Sequence, residues 1–137
     1  MKSLPYLRKY NIKPSMQRLA IMDYLLDHYS THPTVAQIYD ALSLTMPTLT
    51  KTTVYQSLKL FVKHKAVLMI TIDERNVRFD ADISAHAHFI CKHCSHIYDL
   101  PLPPGVKHVV PTLLEGHIIS EIHLYYKGLC RICVAKK

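Results

Sequence analysis

Tryptophan is absent from this 137-residue chain, glycine occurs only three times, and no segment is repeated or of low complexity. Such a chain is neither a disordered tail nor a solenoid. Hydrophobic residues make up 49% of it, enough for a core in one ordinary domain or two small ones. Long apolar runs are missing too. All fall far short of the roughly 20 residues a membrane helix needs. The first residues, MKSLPYLRKYN, carry no apolar targeting segment. These absences make a cytoplasmic protein with no membrane partner the expectation. Also lacking is H-x-E followed by P-C-x-x-C, the signature of a zinc deaminase. No enzymatic activity is expected.

What charge there is lies mostly at one end. Residues 1–65 hold nine Lys/Arg and three Asp/Glu, a balance of +6, whereas residues 66–137 hold eight and seven, a balance of +1. A basic first half fits a polyanionic partner, nucleic acid first. It fits an ordinary solvated surface equally well.

Within residues 15–29, Leu19, Met22, Leu25 and Leu26 recur at helical spacing, and Ser15 can cap the start. Thr34 to Gln37 reads as a capping box opening a second helix over 34–44, with Val35, Ile38 and Leu42 on its buried stripe. A third helix over 50–64, capped by Thr50, puts Val54, Leu58, Phe61 and Val62 on one face. A hairpin follows, with strands over 67–72 and 77–79 around a turn at 73–76. Three helices and a hairpin in this order suggest a winged helix-turn-helix. A three-helix bundle with a polar exposed face is the plainer alternative. In the winged reading the third helix is the reader. Its polar face offers Lys51, Thr52, Tyr55, Gln56 and Lys59, side chains that reach phosphates and base edges in a major groove.

Beyond residue 82 the pattern becomes strand-like, at Ala87–Cys91, Ile97–Leu100 and 118–126, the last by alternation. A helix within 104–114 is expected to be broken or delayed by Pro111. This is a small α/β unit, and an exposed strand in it invites pairing with a second copy. The expected fold class is α+β, with a winged-helix DNA-binding domain expected over 1–80 and a metal-binding dimerisation domain expected over 81–137.

All four cysteines fall in two C-x-x-C pairs, Cys91/Cys94 and Cys130/Cys133. Each pair points two thiolates at one ion, and two pairs complete the tetrahedral sulfur site that suits structural Zn2+. Disulfides, a redox C-x-x-C and buried free thiols are the alternatives. Disulfides are disfavoured in the cytosol, and a redox motif needs no duplicate. Zinc here ties the C-terminal tail to the first strand of its unit, so metal binding contributes directly to folding. His86 and His88 stand two apart and share a strand face, with Ala87 turned the other way. One segment can thus serve two ions.

The stretches HPTVAQIYDAL at 32–42, TTVYQSLKLF at 52–61, RFD at 78–80, HAHFICKHC at 86–94 and the terminal CRIC resemble the ferric uptake regulator (Fur) family of metal-dependent bacterial repressors. The similarity covers nearly the whole chain and points to the peroxide-sensing, PerR-like branch. That resemblance implies a regulatory ion held by His32, Asp80, His86, His88 and Asp99. Iron-uptake members usually carry glutamate at one or both carboxylate positions, and here both are aspartate. A further site of many iron-type members needs an acidic residue where this chain has Ala87, so that site is not expected. Three nitrogens and two oxygens suit Fe2+ or Mn2+ better than zinc. Ligands drawn from both domains would make the ion favour the arrangement that brings them together.

The resemblance further implies a homodimer on a pseudo-palindromic double-stranded DNA operator. Peroxide reacting at the metal would oxidise a ligating ring, His32 or His86, and release the DNA. A plain iron, manganese or zinc uptake repressor is the alternative. Two departures stand out. Ser15-Met16-Gln17-Arg18 replaces a usual Thr-Pro-Gln-Arg, which bears on the DNA contacts expected of Arg18, and Ser95 replaces a common glycine.

Overall fold

The computed structural model describes residues 2–73, 76–84, 86–104 and 112–136. The chain divides into two units, Met1–Ile83 and Ser84–Lys137.

The first unit runs α1 (Ser3–Lys9), α2 (Met16–Asp27), a 3-10 turn at Tyr29–Thr31, α3 (Val35–Leu42), α4 (Lys51–Lys63), then an antiparallel pair, β1 (Leu68–Ile70) and β2 (Arg78–Asp80). The sequence dictates where the helices begin. Ser15 Oγ accepts from the Arg18 amide at 3.2 Å, and Thr50 Oγ1 accepts from the Thr53 amide at 3.1 Å. At Thr34 the full capping box forms, with the Gln37 amide donating to Thr34 Oγ1 at 3.2 Å and the Thr34 amide donating to Gln37 Oε1 at 2.9 Å. Each cap satisfies an amide that the helix geometry leaves without a partner. The buried faces are Ile21, Met22 and Leu25 of α2, Ile38 of α3, and Val54, Leu58 and Phe61 of α4. They meet Leu7 and Phe79 in one core of fourteen buried residues. This order of helices and hairpin is a winged helix-turn-helix.

Helix α1 is not foreshadowed in the sequence. Seven residues are too few for a period to show, and Pro5 sits in its first turn. Tertiary contacts hold it instead. The Ser3 amide donates to Asp23 Oδ1 at 3.1 Å, and the Tyr6 hydroxyl donates to the Ala66 carbonyl at 2.7 Å. Of the expected turn at 73–76, residues 74 and 75 lie outside the described residues. The segment before α3 lies along β2, because the Phe79 amide donates to the Pro33 carbonyl at 3.0 Å and Thr34 bridges Arg78.

The second unit is built on a three-stranded sheet in the order β4-β3-β7. Strand β3 (Ala87–Cys91) pairs antiparallel with β4 (Ile97–Leu100) and parallel with β7 (Tyr125–Gly128). A separate hairpin joins β5 (Thr112–Leu114) to β6 (His117–Ile119), and the short α5 (Arg131–Ala135) closes the chain. Two expectations need correction. Of the helix sought over 104–114, residues 105–111 lie outside the described residues, and Thr112–Leu114 is a strand. The single strand expected over 118–126 is split: His117–Ile119 belongs to the hairpin, Tyr125–Gly128 to the sheet, and 120–124 carry no strand. A two-residue turn folds the first half back onto β5. Glu115 has φ 49° and Gly116 φ 82°, the paired positive angles of a type I′ hairpin, which glycine permits. Alternation alone cannot show that a strand changes partner halfway.

Candidate metal centres

The first C-x-x-C is the turn between β3 and β4. Cys91 ends β3, the Ser95 amide donates to the Cys91 carbonyl at 2.9 Å, and Ser95 takes φ 65° to bring the chain round. The second opens α5, with Cys130 at its N-cap and Cys133 in its first turn. One ligand atom from each of the four cysteines lies within 4.8 Å of all the others. Cys91 and Cys133 Sγ are 3.7 Å apart, and Cys94 and Cys130 Sγ are 3.8 Å apart. A zinc tetrahedron with bonds of about 2.3 Å has edges of about 3.8 Å. The donor set and its spacing therefore fit zinc.

The backbone prepares part of this site electrostatically. The amides of Cys94 and Cys130 each donate to Cys91 Sγ at 3.4 Å. These bonds, the Cys94 amide first, pull the Cys91 thiol down to about 5. Cys130 is lowered too, chiefly by the Cys133 amide and then by the Tyr98 hydroxyl. Burial, by contrast, pushes the Cys133 thiol up to about 12. Each C-x-x-C thus contributes one sulfur readily held as thiolate, and Cys133 gives up its proton when metal binds.

Within each unit, nitrogen and oxygen ligands stand side by side. In the first, His32 follows the 3-10 turn in the left-handed region, at φ 50°. Pro33 disfavours the right-handed helical conformation there. His32 Nε2 lies 3.5 Å from Asp80 Oδ2, and both side chains are buried. The other Asp80 oxygen accepts from the Asp82 amide at 2.8 Å. In the second unit, the strand register sets His88 opposite Asp99. His86 Nε2 is 3.0 Å from His88 Nε2 and 3.3 Å from Asp99 Oδ1, and His88 Nε2 is 3.4 Å from the same oxygen. An octahedral ion with bonds of about 2.1 Å has ligand edges of about 3.0 Å. Each group can supply neighbouring ligands to such an ion.

The sequence profile of the Ferric uptake regulator family matches residues 9–123. The chain belongs to the ferric uptake regulator family. It is 37% identical to the peroxide-responsive repressor PerR of Staphylococcus epidermidis, over 96% of this chain and 88% of that protein. It is 32% identical to the peroxide operon regulator of Bacillus subtilis, over 99% of this chain and 94% of that one. The ferric uptake regulator from Francisella tularensis, solved with iron, superposes with a TM-score of 0.71 at 21% identity, covering 90% of this chain and 95% of its own.

For this member of the ferric uptake regulator family, the candidate reading face is open to solvent. Lys51, Thr52, Tyr55, Gln56 and Lys59 are all exposed on α4. Lys59 Nζ lies 5.6 Å from the Tyr55 ring centroid, and Lys51 Nζ lies 5.6 Å from that of Tyr39. Arg18 is half-buried and folds back, donating to the Lys13 carbonyl at 2.8 Å. Together with Lys13, Thr53 and Gln56 it lines a groove beside α4.

Three neighbours of the ligands escape sequence reasoning. Arg78 donates to the His32 carbonyl at 3.3 Å and to Asp73 Oδ2 at 3.2 Å. The Tyr125 ring centroid stands 6.1 Å from that of His88. The nearby Cys130 sulfur, ahead of burial, pushes the Tyr98 hydroxyl up to about 12, and Tyr98 packs against the cysteine cluster. Only Tyr98 had a readable signal. If His88 and Asp99 share one face of paired strands, residues 89 and 98 take the other. No helix among the described residues is long and apolar enough to cross a membrane.

Proposed function

We propose that this protein is a metal-dependent transcriptional repressor that responds to peroxide. It acts in the cytoplasm as a homodimer on a pseudo-palindromic DNA operator. The observation that carries the reading is the ligand chemistry: a buried His32–Asp80 pair and a His86–His88–Asp99 cluster, all nitrogen and carboxylate donors, apart from the cysteine site. His32, Asp80, His86, His88 and Asp99 would hold one Fe2+ or Mn2+, and the bound ion would favour the DNA-binding state. The peroxide-named relatives support the same reading.

The protein's part in sensing is positional. Iron, when bound, would activate peroxide, and the ring would supply the two electrons that reduce it. His32 and His86 are the rings offered to the oxidant. One ring gains an oxygen, the second peroxide oxygen leaves as water, and the altered ring ligates poorly. Lys51, Thr52, Tyr55, Gln56 and Lys59 meet the major groove, with Arg18 on the flanking phosphates. The exposed Leu113, Leu114 and Ile118 of the β5–β6 hairpin support burial against a second copy.

The test is mass spectrometry of the iron-loaded protein after mild peroxide. One added oxygen on the peptide bearing His32 or His86, and none when Mn2+ replaces iron, is the expected result. Unmodified histidine peptides in the iron form would leave a plain metal-uptake repressor.

A further inference from the structure

Lys51 opens α4, where the aligned peptide dipoles concentrate positive charge and repel an ammonium. The first turn of α4 holds no acidic residue to offset this. Among the described residues, no carboxylate pairs with Lys51. Its ammonium lies instead over the ring of Tyr39, 5.6 Å from the centroid. Tyr39 belongs to α3, so the pair joins the two helices of the helix-turn-helix. The ring is fixed in turn, being half-buried and packed against the core of the first unit.

A carboxylate and a ring hold a lysine in different ways, and they differ in what they leave for a ligand. A carboxylate offsets the charge and occupies N–H donors. A ring face attracts the ammonium through its quadrupole, leaves the charge whole and keeps the outward N–H groups open. A lysine held so has already lost part of the rotamer freedom that binding would otherwise cost it. Lys59 supplies the contrast. Its Nζ also stands 5.6 Å from a ring, that of Tyr55. Those two residues are four apart on one helix, and any exposed helix can make such a pair unaided. The Lys51–Tyr39 pair exists only because α3 packs against α4.

We propose that Tyr39 is a positioning residue for DNA binding: its ring holds the Lys51 ammonium in place, with its charge undiminished, for one backbone phosphate. This rests on the DNA reading given above and adds a residue outside the exposed face of α4. Tyr39 acts through Lys51 and touches no phosphate itself. The pairing also accounts for a lysine kept where the helix dipole opposes it. The phosphate that relieves the repulsion arrives only with DNA, and until then the ring face offsets part of it.

The experiment is a double-mutant cycle on the full chain carrying zinc and Mn2+, read by fluorescence anisotropy on a pseudo-palindromic duplex selected from random sequence. Tyr39→Leu removes the ring. It is expected to weaken binding roughly two- to fivefold per protomer, and so about 4- to 25-fold for a homodimer. In a Lys51→Ala background the same change is expected to cost less than about twofold, because the lysine it served is gone. Tyr39→Phe keeps the ring face and is expected to bind within about twofold of the unaltered protein. Equal losses from Tyr39→Leu with and without Lys51 overturn the proposal and mark the ring as packing alone. So does a loss in Tyr39→Phe as large as in Tyr39→Leu. If the unaltered protein binds no duplex, the DNA reading falls and this proposal falls with it. Binding with additive losses overturns the proposal and leaves that reading standing. Should Tyr39→Leu fail to fold, phenylalanines of increasing fluorination at position 39 carry the test, since fluorine drains the ring face with little change of shape. Affinity that falls with each step supports the proposal, and constant affinity overturns it.

Discussion

Single-residue parity separates two kinds of metal chemistry along β3. His88 faces Asp99 across the β3–β4 pair, while Phe89 and Tyr98, the next pair along, face the cysteines. A one-residue slip would exchange the two faces, and both ligand sets would be lost together. Much of this was legible, because spacing by two fixes a face and C-x-x-C spacing fixes a turn. The conformation of that turn was not. Ser95 holds φ 65° where the family commonly has glycine, a region that costs a residue with a Cβ roughly 1–2 kcal/mol. Glycine relieves that strain but adds backbone freedom to the unfolded chain, which returns part of it. Ser95→Gly should therefore stabilise the zinc-bound protein by about 0.5–1 kcal/mol, read as a raised midpoint in denaturant at constant slope. A lowered midpoint would mean that the serine hydroxyl supports the turn by more than the strain it imposes.

At the scale of elements, what the sequence announced was what side chains alone decide. Ser15, Thr34 and Thr50 each accept from the amide three residues on, so three helix starts could be read from the letters. What tertiary contact decides stayed hidden: α1, α5, and the change of partner between β6 and β7. Helix α1 shows what such a contact contributes. Ala66 precedes β1 and Ala81 follows β2, and the Tyr6 hydroxyl reaches both carbonyls, at 2.7 and 3.4 Å, closing the base of the wing. Burial first, and then the negative charge Tyr10 would carry, raise the Tyr6 hydroxyl well above its ordinary 10.0. The folded protein therefore holds this proton at pH values where the unfolded chain has lost it. The stabilisation is complete below about pH 10 and is lost as pH climbs beyond. Tyr6→Phe removes the hydrogen bond at every pH, at a cost of about 1 kcal/mol near neutrality. Above pH 10 its thermal midpoint should fall less steeply than that of the unaltered protein. Parallel curves for the two proteins would show that Tyr6 titrates no differently folded and unfolded.

Over the whole molecule, the excess positive charge lies in the first unit and the cysteine site in the second, and each predicts a measurement. The excess positive charge lies in residues 1–65, at +6, and Lys51 and Lys59 stand exposed on α4. Each phosphate they neutralise should add about 0.9 to the slope of log affinity against log salt. Fluorescence anisotropy on a pseudo-palindromic duplex selected from random sequence should show the slope shallower by about 1.8 in Lys51→Ala, one phosphate contact being lost from each protomer of the homodimer. An unchanged slope would take Lys51 off the backbone. Zinc dependence should fall on the other unit. The first unit closes on fourteen buried residues with no cysteine among them, whereas the second buries Ala87, Ile90 and Ile97 beside Cys91, Cys130 and Cys133. Among the described residues that apolar core is small and supplies little stability without a staple, and the staple here joins the end of β3 to the N-terminus of α5. Removing zinc with a strong chelator under reducing conditions should therefore strip hydrogen-exchange protection from Ala87–Cys91, Ile97–Leu100 and Tyr125–Gly128. The amides of α2 and α4 should keep theirs, since their hydrogen bonds rest on a core the metal never touches. Loss of protection in α2 and α4 to the same extent would make the chain one cooperative unit. Retention in β3 would show that strand pairing, not metal, holds the second sheet.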